Sequence, residues 1–266
     1  MKISLIVTTY NWPEALYLCL KSIKYQSLLP DEVIIADDGS SFETKKTIDT
    51  FAINNKYMNI IHSWQEDKGF RTSKSRNKAI AKSNYEYVIL IDGDIILHKD
   101  FIKDHLRFSK KNTYIQGCRS LLKNTINPSL FDVKGHFIFL RKGIRNRINA
   151  LRCIFLANLF NFHNKKIRGI KSCNMSFFKE DCIKVNGFNE DFIGWGREDT
   201  EFAIRLYNNN IVRQNVKFAA LSFHIPHPKS SRAMLETNDR ILQNTIEKEM
   251  KFCKNGIDKY LSADSS

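Results

Sequence analysis

Tyr87-Val88-Ile89-Leu90-Ile91-Asp92-Gly93-Asp94 is the stretch from which the fold can be read. Its apolar run, Tyr87–Ile91, is short and unbroken, as in a strand buried on both faces of a parallel sheet. The run leads straight into two carboxylates separated by a glycine. Two carboxylates so spaced at a strand end can hold a hard divalent cation that also bridges a diphosphate. Gly93 lets the backbone approach such a ligand closely. As an isolated tripeptide, Asp-Gly-Asp is more often an ordinary turn. Its place at the end of a buried strand gives it weight.

The same pattern recurs toward the amino terminus. Residues 3–9 (ISLIVTT) form a second buried run ending in polar residues. Pro13 can open a helix, with Leu16, Leu20 and Ile23 following at helical spacing. Glu32–Asp37 predicts a strand, Gly39-Ser40-Ser41 a turn and helix start, Asn59–Ser63 a weaker strand, and Ser73–Lys82 a helix. Strands alternating with helices through residue 110 imply right-handed crossovers and a mostly parallel sheet. Polar clusters close three strands: Thr8–Asn11, Asp37–Ser41 and Asp92–Asp94. Ligands of open α/β sheets bind at that carboxyl edge.

The second half is less regular. It predicts a strand near Cys173–Phe178, a helix after Gly196, a strand Ala219–Phe223 before a His/Pro loop at 224–228, and a polar helical tail from Leu235 to about Leu261. The expected division is an α/β half over 1–110 and a less regular half of the same domain over 111–234. A basic insertion covers about 133–171, and 235–266 is the tail.

Lys and Arg number 42 against 28 Asp and Glu, a net charge of +14. Eleven of those cations lie between Val133 and Lys179, where there is no acid, leaving +3 for everything else. Such a stretch calls for an anionic partner: phosphate, lipid headgroup or nucleic acid. With 42% hydrophobic residues the chain has material for a real core. Its six cysteines are scattered without a CxxC pair, which reads as reduced, buried thiols. The start lacks the features of a signal peptide, and no run of eighteen apolar residues occurs. The expected location is cytoplasmic, with the inner face of the plasma membrane as an alternative.

Three further segments carry chemistry. Asp37-Asp38-Gly39-Ser40 offers strand-end carboxylates that can accept from a uracil N3–H or a ribose hydroxyl. Gly69–Lys78 places two arginines and two lysines around a helix start, a setting for phosphate. In Gly194-Trp195-Gly196-Arg197-Glu198-Asp199-Thr200-Glu201, two glycines flank a tryptophan on which a sugar ring could stack, and acids follow in a first helical turn. Acids there also suit the helix dipole, but that does not account for Gly-Trp-Gly. A carboxylate beside a sugar platform is what an inverting transfer needs as general base. His224, following the strand before His227, could complete a metal shell opposite the aspartates.

The set TTYNWPEAL, DEVIIADDGS, GFRTSKSRNKAI, YVILIDGD, CNMSFFKEDCIKVNGFNEDF and GWGREDTEFAIRL, in this order, resembles family-two glycosyltransferases of the GT-A fold. More narrowly it is similar to bacterial members with a carboxyl-terminal galactosyltransferase-like segment, such as chondroitin-polymerase and β1,4-galactosyltransferase relatives. The resemblance covers 3–110 and 170–228. It implies an α/β, GT-A nucleotide-diphospho-sugar transferase fold with a mostly parallel central sheet flanked by helices. It further implies that Thr8, Tyr10, Asp37 and Asp38 hold uridine and that Arg71 and Arg76 lie near the donor. Asp92 and Asp94 would form the Asp-x-Asp motif, with Asp94 the more direct ligand of Mn2+ or Mg2+ and His224 the third. Asn174 would lie near the donor sugar and Trp195 in the acceptor or sugar platform. Asp199 would be the catalytic base and Glu198 an acceptor-binding acid.

The expected reaction is inverting transfer of a hexose or N-acetylhexosamine from a UDP-sugar donor. The expected acceptor is a lipid-linked or lipopolysaccharide-core saccharide, in lipopolysaccharide, O-antigen or capsule biosynthesis. A sugar nucleotidyltransferase would carry a glycine-rich phosphate loop where Thr8–Pro13 stands. A nucleic-acid binder would leave the carboxylates unexplained, so no nucleic-acid partner is expected. Ile144, Ile148, Leu151 and Phe155 recur at i, i+4, i+7 and i+11 beside Arg141, Arg145 and Arg152. The spacing predicts a basic helix within Lys142–Arg168 that docks on an anionic membrane, or else packs on the sheet with its charges solvated or holding an acceptor phosphate.

Overall fold

A computed structural model describes residues 1–124, 127, 142–228 and 230–261. Lys134 and Arg141 of the basic stretch, with the rest of 133–141 at the start of the insertion expected at 133–171, lie outside the described residues.

The amino-terminal half alternates as its sequence implies. Strand β1 (Ile3–Thr9) is followed by α1 (Pro13–Lys24), β2 (Glu32–Asp37), α2 (Phe42–Asn54), β3 (Ile60–Trp64), α3 (Thr72–Ala81) and β4 (Tyr87–Asp92). β3, β2, β1 and β4 lie side by side and all parallel. Alternate residues of each strand pack into different layers. Leu5, Val7, Ile89 and Ile91 meet Leu16, Leu20 and Ile23 of α1. Ile6, Val88 and Leu90 meet Ala79 and Ile80 of α3. Each fully buried Leu or Ile stabilises the fold by about 1.5–3 kcal/mol relative to exposure, which is why these strands read as continuous apolar runs.

Beyond β4 come β5 (Ile95–Leu97), α4 (Phe101–Phe108), β6 (Thr113–Gly117) and β7 (Arg119–Leu122). Then follow β8 (Ile144–Arg145), α5 (Ile154–Leu159), β9 (Phe162–Asn164), β10 (Asn174–Phe178) and α6 (Lys179–Lys184). The chain ends with α7 (Glu198–Asn208), β11 (Val212–Val216), β12 (Ser222–His224), α8 (Leu235–Glu247) and α9 (Asp258–Leu261). The large sheet runs β3-β2-β1-β4-β10-β6-β11-β9, with β10 antiparallel to both neighbours. Inserted between β4 and β6, β10 joins the two halves in one sheet. A smaller sheet, β5-β12-β7-β8, pairs His224 with Ile95, immediately after Asp94.

Three sequence expectations are corrected. The stripe Ile144–Phe155 is not one helix: Ile144 is in β8, Ile148 lies in a 3-10 turn at Arg147–Ala150, and Phe155 is in α5. Asn146, with φ of 56°, breaks the run, and Ile144 is buried while Phe155 is 75% exposed. The polar tail is likewise interrupted between α8 and α9, where Cys253 and Ile257 turn into the core. Finally, the strand expected at Ala219–Phe223 is Ser222–His224, so His224 is part of it.

Candidate active site

The parallel strands bring their polar ends to one edge. Thr8 is in register with Asp92, and Thr9 with Asp37. The Gly93 N–H donates to the Thr8 carbonyl at 2.7 Å, and a Cβ at Gly93 would lie 3.1 Å from that oxygen. Asp37 Oδ1 accepts from the Ser40 N–H at 2.8 Å, and its Oδ2 lies 2.9 Å from His62 Nε2. The Asp38 carboxylate accepts from Gln65 Nε2 at 2.6 Å and from the Arg71 backbone N–H at 2.8 Å. Burial raises the Asp38 pKa against the opposing pull of those donors. The Tyr10 hydroxyl donates to Asp67 at 2.9 Å and leaves half of the residue exposed, so its ring can serve as a flat contact.

Arg76, midway along α3, is the centre of the site. Its guanidinium is buried and lies 3.5 Å from Asp92, 3.5 Å from Glu198 and 3.1 Å from Asp199. Its Nε is 3.5 Å from Thr8 Oγ1. Burial opposes this charge, but the carboxylates of Asp199, Asp92 and Glu198 outweigh it and raise the arginine's pKa. Three carboxylates share one cation, so they are incompletely compensated. Burial, with repulsion from Asp199, pushes Glu198 up to about 7. Burial, with repulsion from Asp94 and Asp199, pushes Asp92 up to about 6. Asp199 is the most firmly positioned of the three: its Oδ2 accepts from the Ser172 N–H at 2.9 Å, while Oδ1 faces Arg76.

A stability prediction follows. Glu198 titrates at about 7 in the fold against an ordinary 4.5, so the folded state binds this proton more tightly. The resulting stabilisation is complete below about pH 4.5 and is lost as pH rises through 7. Glu198→Gln therefore should gain roughly 1–3 kcal/mol over the parent between pH 5 and 8, measured by urea unfolding. A difference that stays flat or shrinks with pH would contradict the assignment.

The smaller sheet assembles a second cluster. Asp94 Oδ2 lies 3.3 Å from His224 Nε2 and 3.2 Å from His227 Nε2, and the Ile225 N–H donates to the Asp94 carbonyl at 2.9 Å. One ligand atom from each of Asp94, His224 and His227 falls within 4.8 Å of the others. Asp94 Oδ1 is buried without a hydrogen-bond partner. A buried, unpaired carboxylate oxygen beside two imidazoles fits a divalent cation. Asp92, expected as a direct ligand, lies outside this cluster and faces Arg76. His227, not expected as a ligand because His224 is the one that adjoins the strand, is as near Asp94 as His224 is. Pro226 lies between them, and the loop returns His227 to within 4.9 Å of the His224 ring.

The Gly-Trp-Gly segment is tightly held. Gly194 and Gly196 have φ of 74° and 110°, and Arg197 adds a third left-handed residue at 80°. Asn238 of α8 donates to the carbonyls of Ile193 and Gly196, and a Cβ at Gly194 would lie 2.8 Å from Met234. The tail thus props up Trp195, which is 41% exposed and has the Arg232 guanidinium 5.6 Å from its ring centre.

Asn174 is held on several sides. Its Nδ2 donates to the carbonyls of Cys118 and Ala220, each at 2.9 Å, and its Oδ1 lies 3.0 Å from His105 Nε2. The amide thus links β10 to the segments leading into β7 and β12 and to α4. Arg71 turns its guanidinium to the Glu66 carbonyl at 2.7 Å. Arg119, unmarked by any motif, enters the site because β7 runs beside β12, and its charge is felt by Asp92 and Asp94.

A family model described as glycosyl transferase family 2 matches residues 4–155, more than half of the chain. The chain belongs to glycosyl transferase family 2. Residues 150–228 match a second model, the N-terminal domain of galactosyltransferase, and these residues supply Glu198, Asp199, His224 and His227 to the family-2 site. The chain is 25% identical over 246 residues to the Escherichia coli chondroitin synthase, covering 85% of this chain but 35% of that synthase. It thus spans about a third of that relative's length. S. aureus TarS 1-349, solved in complex with UDP-GlcNAc, superposes with a TM-score of 0.62 at 19% identity, covering 98% of this chain and 71% of TarS 1-349. A Pyrobaculum calidifontis mannosyltransferase in complex with GDP-Man and Mn2+ superposes with a TM-score of 0.58 at 16% identity, over 84% of this chain and 56% of its own. The fold of this family-2 chain is accordingly GT-A.

Proposed function

We propose that this chain is an inverting glycosyltransferase. It moves a hexose or N-acetylhexosamine from a UDP-sugar to a saccharide acceptor of bacterial surface glycan: lipopolysaccharide, O-antigen or capsule. The observation that carries this reading is Arg76. It ties the strand-end Asp92 to Glu198 and Asp199 of α7, so a donor edge and a carboxylate pair form one site.

In this reading Asp37, Asp38 and Tyr10 hold the nucleoside. Asp94, His224 and His227 would hold manganese or magnesium, which when bound neutralises a departing diphosphate. Two imidazoles favour manganese, since magnesium prefers oxygen ligands. Trp195 stacks against a sugar ring. Glu198, protonated near neutrality, hydrogen-bonds an acceptor oxygen. Asp199 Oδ2 takes the proton of the attacking hydroxyl while Arg76 and the Ser172 N–H keep the carboxylate in place. A single displacement at the anomeric carbon inverts it.

Titrating UDP calorimetrically with and without manganese tests the reading. Binding that requires the ion supports it; binding that is absent, or indifferent to manganese, overturns it.

The reading also places the protein on an anionic membrane, through a surface unlike the helix its spacing suggests. Phe155, Leu159, Phe160, Phe162 and Ile167 are exposed around α5 and the edge strand β9. Arg145, Arg147, Lys166 and Arg168 are exposed in the same acid-free stretch. Among the described residues no helix is long and apolar enough to cross a membrane. Each cation near anionic lipid contributes about 1 kcal/mol, so reversible attachment is expected. The protein should sediment with phosphatidylserine vesicles at low salt and not with phosphatidylcholine vesicles. Equal recovery with both would remove the membrane from the proposal.

A further inference from the structure

Beside the carboxylates lies a cavity of about 220 Å³ that the proposed reaction does not use. Its walls come from three distant parts of the chain: Gln116–Arg119 with Asn215, the turn at Asn146–Asn149, and the approach to β10 at Gly169–Cys173. Among the described residues, the charged ones lining it are both cations, Arg119 and Lys171, and its other polar side chains include Asn146, Asn149 and Asn215. Asn215 Nδ2 is buried without a hydrogen-bond partner. Lys171 is exposed and forms no ion pair among the described residues. Arg119 is half-buried and donates to Cys173 Sγ at 3.3 Å.

The cavity adjoins the reacting groups. Lys171 and Cys173 flank Ser172, whose N–H holds Asp199 Oδ2 at 2.9 Å. Arg119 feels the charges of Asp92 and Asp94. A group seated among these donors would therefore be attached to the molecule whose hydroxyl meets Asp199.

We infer that this cavity is an acceptor subsite for an anionic group, a carboxylate or phosphate carried by the acceptor saccharide. A neutral sugar would leave the Lys171 ammonium without a counter-charge in the cavity. An anion supplies one and can accept hydrogen bonds from both Lys171 and Arg119. Asp92 and Asp94 favour the charged form of Arg119, and neither is among the described residues that line the cavity. The inference rests on the glycosyltransferase reading for what is transferred, but the binding it requires can be measured without turnover.

Binding of three short oligosaccharides by calorimetry in low salt tests it: one ending in a uronic acid, one in a sugar phosphate, and one in the neutral hexose. The subsite predicts that one of the acidic probes binds about tenfold more tightly than the neutral one. The probe that does so identifies the source of the anion. Lys171→Gln, at an exposed position that does not threaten folding, should reduce that preference severalfold. Asn215→Asp should abolish it by placing a carboxylate in the cavity. Three probes of equal affinity, or a charge preference that persists in both variants, would overturn the subsite. UDP titration of the same samples reports on the donor half separately, so loss of UDP binding counts against the function and loss of charge preference against the subsite.

Discussion

Asp199→Asn is expected to lower kcat by about 10²–10⁴ while UDP affinity changes little, the usual contribution of a positioned general base. The geometry separates these effects. Asp199 sits at the head of α7 and contacts Arg76 and the Ser172 N–H, whereas Asp37 and Asp38, proposed to hold the nucleoside, are held by Ser40, His62, Gln65 and Arg71. Asparagine keeps the shape and can still accept from Ser172, but it cannot take a proton. Glu198→Gln is the informative partner. Glu198 titrates near 7 and is already largely protonated at pH 6, so an amide imitates its hydrogen-bonding state. Its variant should lose less in kcat and more in acceptor KM. Single-turnover rates at saturating donor decide the matter. An inactive Glu198→Gln beside an active Asp199→Asn would reverse the two roles.

The second large effect is expected at the cluster in the smaller sheet. Asp94→Asn should weaken manganese and UDP binding together, on the order of 100-fold each, because it removes the only charge among three candidate ligands. The buried, unpaired Oδ1 of Asp94 sets this residue apart from Asp92, which faces the Arg76 guanidinium at 3.5 Å. Asp92→Asn should accordingly do less to manganese affinity than Asp94→Asn. Since both imidazoles approach Asp94 Oδ2 equally closely, His224→Gln and His227→Gln should weaken manganese binding to similar extents. Calorimetry measures all four variants. Unchanged manganese affinity in Asp94→Asn would reject the site, and an effect confined to His224→Gln would remove His227 from it.

The amino-terminal strands were legible because each is short, apolar throughout and closed by a polar cluster, a pattern that burial on both faces of a sheet enforces. The Asp-Gly-Asp turn and the acids after Gly-Trp-Gly could be found for a related reason. Strand ends and helix starts leave backbone N–H groups and side chains free for ligands, and they have local signatures. Asn174 shows where that reasoning stops. The resemblance alone singled it out, and what surrounds an amide is not written in its neighbours along the chain. Here Cys118, Ala220 and His105 consume it. The stripe at 144–155 failed for a different reason. Helical spacing was present, but a left-handed Asn146 and pairing of Ile144 with Leu122 took the segment into other structure.

What the sequence determined by itself is thus the set of elements whose causes are local: buried runs, helix starts, and the glycines beside Asp92 and Trp195. Tertiary structure alone decided the partnerships. Arg76 meets Asp199, 123 residues away, and Asp94 meets both histidines only because β5 and β12 pair. The Asp38, Glu198 and Asp92 pKa values are raised chiefly by burial, a property no single residue carries. Periodicity reports which face of an element is apolar. It does not report which distant face will cover it, and charge compensation, metal geometry and the acid-free cavity all depend on that second choice.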